Sequence, residues 1–370
     1  MIIVYDLFWN LFSFFVFFLA GCGLQKSQKA ELDSITEEAE LLSITEHDGY
    51  DEVFIMSPKG NREAHYVLID RNDTLNRDIP EGAEVIKVPL EKTILDSEVY
   101  AGAIEELGAA GTVRAMFDGA YVTSPALKEK LTQGTLKDLG PTSSPNLEKI
   151  LALAPDAIFL SYFEGMQTQS LDKLGIPLIK MYDLQEPTPL GRAEWIRFLG
   201  RLSGRGKEAD SIFSAVKKNY NEIKRNASIK NSPKILTETI YEGVWNVPGG
   251  RSYQATLIKD AGGRYFKEND NTPVSLKLSP EQVLLEGIDS DIWLIRYFGD
   301  ANSLKAILKS DPVYSGFKPL KEGKIYYSDT SLSGLFREFP FHPDRLLMDY
   351  NIIFKGGDDS RLKYFKKLDL

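Results

Sequence analysis

The chain has 370 residues, 43% hydrophobic and 26% charged, enough for about two globular cores and unlike a disordered or multispan membrane protein. Its net charge of -9 excludes the basic footprint that nucleic-acid binding needs. The single cysteine, Cys22, excludes a disulfide framework and a cysteine-rich metal site.

Residues 7–20 form a dense, Phe-rich apolar run, too short for a membrane span and the right length for a signal-peptide core. The run ends in Leu19-Ala20-Gly21-Cys22, which resembles the bacterial lipobox. That resemblance implies a signal peptide over residues 1–21 and acylation of Cys22. The residues before the run carry Asp6 and no Lys or Arg, so either translation starts elsewhere than Met1, the favoured expectation, or export is inefficient. Residues 22–50 are polar and acidic, without a strand pattern, and read as a tether that lifts the rest off a membrane.

From Val53 the pattern changes to short apolar runs, VFIM, HYVLI, EVIKVPL and TILDS, separated by turn residues. Strands and helices then alternate. Residues 98–107 read as a helix, TVRAMF as a strand, 145–153 as a helix, DAIFLSY as a strand, 169–174 as a helix, and IPLIKMY as a strand. Glu186-Pro187-Thr188-Pro189 breaks the alternation. A long helical region follows from 190 to about 226, interrupted near Ser203-Gly204-Arg205-Gly206. Its second half puts Ala209, Ile212, Phe213, Val216, Tyr220 and Ile223 on one apolar face. Alternation resumes with KILTETIYEG and DIWLIRYFG as strands, 253–260 as a helix and 346–354 within a final helix. The fold class is therefore α/β: two doubly wound lobes, 51–188 and 229–370, joined by one long helix region over 189–228. Such sheets bind ligands in a cleft at the C-terminal ends of their strands.

Two segments repeat one design. Ser144-Pro145-Asn146-Leu147-Glu148 leads through a helix into PDAIFLS, and Ser279-Pro280-Glu281-Gln282 leads into SDIWLIR. Ser-Pro reads as an N-cap followed by a first-turn proline, and Gln282 completes a capping box. Each lobe thus presents a carboxylate, Glu148 or Glu281, on a surface turn.

With these features the chain resembles the class III, long-helix-hinged substrate-binding proteins of bacterial ABC importers, the ferric-siderophore and cobalamin group. The likeness covers roughly residues 85–370 and is carried by VPLEKTILDSEVYAGAIEELGAAGTVRAMFD, PNLEKILALAPDAIFLS, the helical region after 190 and SPEQVLLEGIDSDIWLI. It implies that Glu148 and Glu281 dock onto arginines of a permease dimer with its ATPase subunits. It also implies a monomeric, extracytoplasmic lipoprotein, most simply periplasmic, that carries a small-molecule metal chelate. The segment LFREFPFHPDRLLMDYNIIF departs from the family's usual final helix, and His342-Pro343-Asp344 reads as a helix start.

His47, His65 and His342 are the only histidines, and none has a neighbour at metal-ligand spacing. The chain is thus expected to hold no resident metal or cofactor, and its ligand should arrive as an iron complex or a corrinoid. Aromatic and basic residues gather where strands end: Phe117 and Tyr121, Tyr162 and Phe163, Tyr182, then Tyr241, Trp245, Arg251, Arg296, Tyr297 and Arg337. Asp118, Asp183, Tyr253 and Phe298 accompany them. Ringed ligands bury well against such side chains, and arginine suits an anionic chelate. These are the expected ligand contacts, for a ferric siderophore first and for cobalamin or haem as alternatives. An extracytoplasmic enzyme is disfavoured because nucleophile-elbow, P-loop and dinucleotide motifs are missing. An adhesin on the same scaffold is the remaining alternative.

Overall fold

The computed structural model describes residues 34–73, 79–163 and 165–370. The expected signal peptide, Cys22 and the first part of the tether lie outside the described residues. Among the described residues no helix is long and apolar enough to cross a membrane.

The first strands, β1 (Leu42–His47), β2 (Tyr50–Met56), β3 (Arg62–Asp70) and β4 (Glu84–Val88), form a sheet of their own. It is an antiparallel meander with β4 added in parallel to β3. This corrects the reading of residues 34–50 as tether: Ala39, Leu41, Leu42 and Ile44 are buried. The acidic residues among them masked a strand whose inward face is apolar. Tyr66 of β3 joins this sheet to the next, its hydroxyl donating to Leu178 O at 2.6 Å and accepting from Lys180 N at 3.1 Å. It thereby satisfies backbone groups on an edge strand.

That next sheet contains β5 (Thr93–Leu95), β6 (Val113–Met116), β7 (Lys137–Asp138), β8 (Ala157–Ser161) and β9 (Leu178–Met181), all parallel, in the order β7-β6-β5-β8-β9. The chain reverses direction of travel across β5, which makes its C-terminal end a topological switch point. In the second lobe follow β10 (Lys234–Thr237), β11 (Ile240–Tyr241), β12 (Val244–Pro248), β13 (Arg264–Tyr265), β14 (Ser275–Leu278), β15 (Ile292–Tyr297), β16 (Ile325–Asp329) and β17 (Lys366–Lys367). Strands β13-β10-β15-β16 are parallel and β17 closes one edge antiparallel, while β11, β12 and β14 form a small antiparallel sheet. KILTETIYEG is therefore two strands, because the backbone turns at Glu238, where φ is 62°. The second lobe's core centres on Trp245, Trp293, Tyr314 and Phe317, whose ring centroids lie 5.3 to 5.8 Å apart.

The helical region between the lobes has two limbs. Pro189–Glu194 and Ile196–Leu202 run almost without a break, and the chain turns at the expected interruption into Gly206–Arg225. A Cβ at Gly200 would lie 2.4 Å from Ala209 Cβ, so only glycine lets the limbs approach this closely. On the second limb Ala209, Phe213, Val216 and Tyr220 are buried, as the spacing predicts. At one end Asp210 pairs at 3.1 Å with Arg201, which also pairs with Glu46 of β1 at 2.8 Å, and near the other end Tyr220 donates to Asp260 of the second lobe at 2.8 Å.

Candidate ligand-binding cleft

Two hollows of 410 and 460 Å³ share Ser97, Val99, Arg296 and Phe336, so they form one groove between the lobes. Each is of small-molecule size. Its walls come from residues just beyond strand ends: Asp96 after β5, Asp118 after β6, Ser161 at the end of β8, Glu238 after β10, Phe298 after β15 and Thr330 after β16. This is where a parallel sheet leaves its connecting loops free to be shaped by function.

The floor is polar and continuous from lobe to lobe. Asp96 Oδ1, Ser161 Oγ, Tyr100 Oη and Asp183 Oδ1 follow one another at 3.1, 3.1 and 2.8 Å. Arg192 Nε then donates to Asp183 Oδ2 at 3.0 Å, and another guanidinium nitrogen donates to Tyr253 Oη at 2.8 Å in the second lobe. Gln254 also donates to that hydroxyl, at 3.2 Å. The Arg192 guanidinium lies 4.9 Å from the Tyr253 ring and 5.4 Å from the Phe339 ring.

Burial pushes Asp96 up to about 7, against the pull of the Ser161 N–H and hydroxyl, with Asp183 adding to the rise. The same causes, burial first and then Asp183 and Asp96, hold Tyr100 well above the usual phenol range. Burial opposes the charge on Arg192, yet Tyr253 and Asp183 keep its pKa above the ordinary arginine value.

On the opposite wall Arg296 Nε donates to Glu238 Oε1 at 2.7 Å, and a second guanidinium nitrogen reaches the same oxygen. Glu238 keeps its left-handed backbone because its N–H donates to Leu294 O at 3.0 Å and its carbonyl accepts Trp293 Nε1 at 2.8 Å. Asp118, two residues beyond β6, is also left-handed, with φ 53°. Non-glycine residues held this way cluster at working sites. Above the floor stand three exposed aromatics, Tyr121 from the first lobe and Phe298 and Phe336 from the second.

Of the expected contacts, Phe117, Asp118, Tyr121, Asp183, Tyr253, Arg296 and Phe298 line the groove, Phe117 almost wholly buried behind it. The others stand elsewhere. Trp245 and Tyr182 are fully buried, and Trp245 donates its indole N–H to Thr237 O, so both are core residues and not contacts. Tyr162 turns away to lie under the Lys180 ammonium, 4.7 Å from its ring. Phe163, Tyr241 and Arg251 are exposed but line neither hollow. Tyr297 points to the other side of its strand from Arg296 and Phe298 and packs against the core. Arg337 lines a separate hollow of 210 Å³ beside Glu105, Glu106 and His342, its aliphatic stem against Gly102.

Sequence reading passed over Asp96, Ser161, Arg192, Glu238 and Phe336. Alternation along DIWLIRYFG was the signal that would have separated Arg296 and Phe298 from Tyr297. Each histidine meets a glutamate: His47 and His65 share Glu52 at 3.2 and 2.7 Å, and His342 meets Glu106 at 2.6 Å. Among the described residues no group of three or more His, Cys, Asp or Glu converges as a metal site.

Glu148 and Glu281 are both exposed. The first helix is capped by Asn146 and starts at Leu147, two residues later than the Ser-Pro pattern predicts, because Asn146 Oδ1 accepts from Lys149 N at 3.0 Å. The second has the predicted Ser279 cap and capping box. Each glutamate is consequently the second helical residue of its helix. The Ser279 hydroxyl donates to Glu281 and lowers its pKa.

Residues 97–332 match the family model of periplasmic binding proteins. The chain belongs to that family. Its members bind solutes for ABC importers and are not enzymes. This periplasmic binding protein is 28% identical over 374 residues to an uncharacterised lipoprotein of Methanocaldococcus jannaschii, across 93% of this chain and 90% of that one. It is 23% identical to the iron-uptake system-binding protein of Bacillus subtilis, across 65% of this chain and 75% of that one. Its fold is similar to that of a periplasmic haem-binding protein from Pseudomonas aeruginosa, with a TM-score of 0.59 and 14% identity over 76% of this chain and 99% of that one.

Proposed function

We propose that this protein is a lipid-anchored receptor that holds an iron(III)–siderophore-type chelate between its lobes and delivers it, as a monomer, to a permease dimer. The observation that carries the reading is the groove itself, which has aromatic walls from both lobes over one polar floor. The name of the Bacillus subtilis relative supports iron as the cargo, and that of the Methanocaldococcus relative supports acylation at Cys22. The metal arrives as part of the cargo, so no resident cofactor is needed. Glu148 and Glu281 would dock to permease arginines, since the same helical position in each lobe suits a two-fold partner and carboxylate–guanidinium pairing fixes orientation.

Haem is the second reading, favoured by the exposed Tyr121 phenol on the cleft wall, because a tyrosinate can ligate haem iron. The test is the absorbance spectrum and bound mass of the full chain purified from medium supplied with each cargo. A ferric charge-transfer band supports the siderophore reading, a Soret peak supports haem, and a corrin spectrum supports cobalamin. Retention of none of them overturns the function.

A further inference from the structure

Charge along the groove separates the cargoes. Among the described residues, five carboxylates line it, Asp96, Glu98, Asp118, Asp183 and Glu238, against two arginines, Arg192 and Arg296. Neither arginine is available to an anion. Arg192 is committed to Asp183 and Tyr253 and is closed off by aromatic rings. Arg296 is committed to Glu238. Once these pairs are set aside, three carboxyl groups remain and only neutral groups meet them; Asp96 holds a proton below about pH 7, so Glu98 and Asp118 carry the unpaired charge of the wall. Asp96 accepts from Ser161. Glu98 accepts from Thr123 N at 2.7 Å, the Thr123 hydroxyl and Ser124 N. Asp118 accepts from the Thr142 hydroxyl at 2.8 Å and Thr142 N at 3.3 Å. The wall below Tyr121 is therefore electronegative, and low-dielectric walls strengthen its field.

We infer that the cleft selects a ligand without net negative charge: a neutral or cationic chelate such as a ferric trihydroxamate, or an amide-rimmed corrinoid. A ferric tris-catecholate would bring three negative charges against carboxylates, and haem two propionates, with no unpaired lining cation among the described residues to receive them. The expectation that arginine greets an anionic chelate is thereby reversed. This rests on the interlobe groove being the ligand site.

The full chain in detergent is titrated by tryptophan fluorescence with ferrioxamine B (cationic), ferrichrome (neutral), ferric enterobactin (trianionic) and haemin. The trihydroxamates are expected to bind more than about tenfold tighter than the catecholate, since like-charge contacts are costly at close range. Added salt should weaken the cationic complex. Glu98→Gln removes a wall charge without touching the strained Glu238 and should narrow the gap; Glu238→Gln should narrow it further by freeing Arg296. Catecholate or haemin binding as tight as the trihydroxamates, and weakened by Tyr121→Ala, overturns the charge inference and leaves the cleft in place. Binding of no probe overturns both.

Discussion

Arg192 and Asp183 form an ion pair at 3.0 Å in the floor of the groove, with both side chains shut away from solvent. Asp183 follows the last strand of the first lobe, Arg192 opens the helical region, and the same guanidinium reaches Tyr253 in the second lobe. Arg192→Met keeps the aliphatic stem but leaves Asp183 without its charge partner. It is expected to cost about 3–5 kcal/mol in urea denaturation, the range for breaking a buried pair. Asp183→Asn combined with Arg192→Met should recover part of that loss. A cost under about 1 kcal/mol would show that the pair does not hold the lobes' shared floor.

The matched positions of Glu148 and Glu281 give a second expectation. Both are exposed and lie outside the groove, so neither substitution should alter ligand affinity by more than about twofold. If each meets a permease arginine, loss of a charge-assisted contact worth roughly 1.5–3 kcal/mol should reduce uptake of iron chelate by tenfold or more per site. The double Glu148→Ala, Glu281→Ala protein should abolish it. Chelate uptake by cells and titration of the same purified variants separate the outcomes. A parallel fall in affinity would move the two residues from docking to structure.

The Asp96 chain makes stability pH-dependent with a definite sign. With Asp96 ionised, two hydroxyl protons must serve three oxygen–oxygen contacts; with it protonated all three are filled. Burial on folding raises its pKa from 3.8 to about 7. Between those values the folded chain holds a proton that the unfolded chain has released, so its contribution is full below about pH 4 and lost as pH rises through 7. The steepest slope is about 1.4 kcal/mol per pH unit. Asp96→Asn can donate to Ser161 Oγ and accept from Ser161 N without titrating. Glu186, raised by burial to about 7 as well, keeps its own slope, so urea midpoints from pH 4 to 8 should fall less steeply in the variant than in the parent chain; equal slopes would remove Asp96 as a cause.

How far the sequence could be read depended on how local each feature is. The Ser279 cap, the parallel strands, the break at 203–206 and the buried stripe of Gly206–Arg225 follow from neighbouring residues, and the structure has them. The groove's polar floor does not. Arg192 sits in a helix whose residues are all buried, and its partners Asp183 and Tyr253 lie nine and 61 positions away, so no periodicity announces it. Glu238 reads as mid-strand until its left-handed backbone is seen. Trp245 and Tyr182 mislead for the complementary reason: an aromatic beside a strand end has two layers open to it, and both face the core.

Residues 34–41 show the same limit and supply the last expectation. Their acidic composition suggested a tether, but Glu194, fully buried, accepts the N–H groups of Glu37, Glu38 and Ala39 at 2.9, 2.7 and 2.8 Å. Glu186 accepts those of Glu40 and Leu41 at 3.0 and 2.9 Å. One carboxyl group just before the helical region and one within it therefore hold the arm by its backbone, which is invisible to any reading of its side chains. Glu194→Ala strands three N–H groups and should cost about 3 kcal/mol or more, with protease cleavage appearing between residues 34 and 41. Glu194→Gln retains one acceptor oxygen and should fall between the two. Ligand affinity should not change, because the arm lies outside the groove. A variant that is cut no faster and melts no earlier than the parent would return the arm to the role of tether.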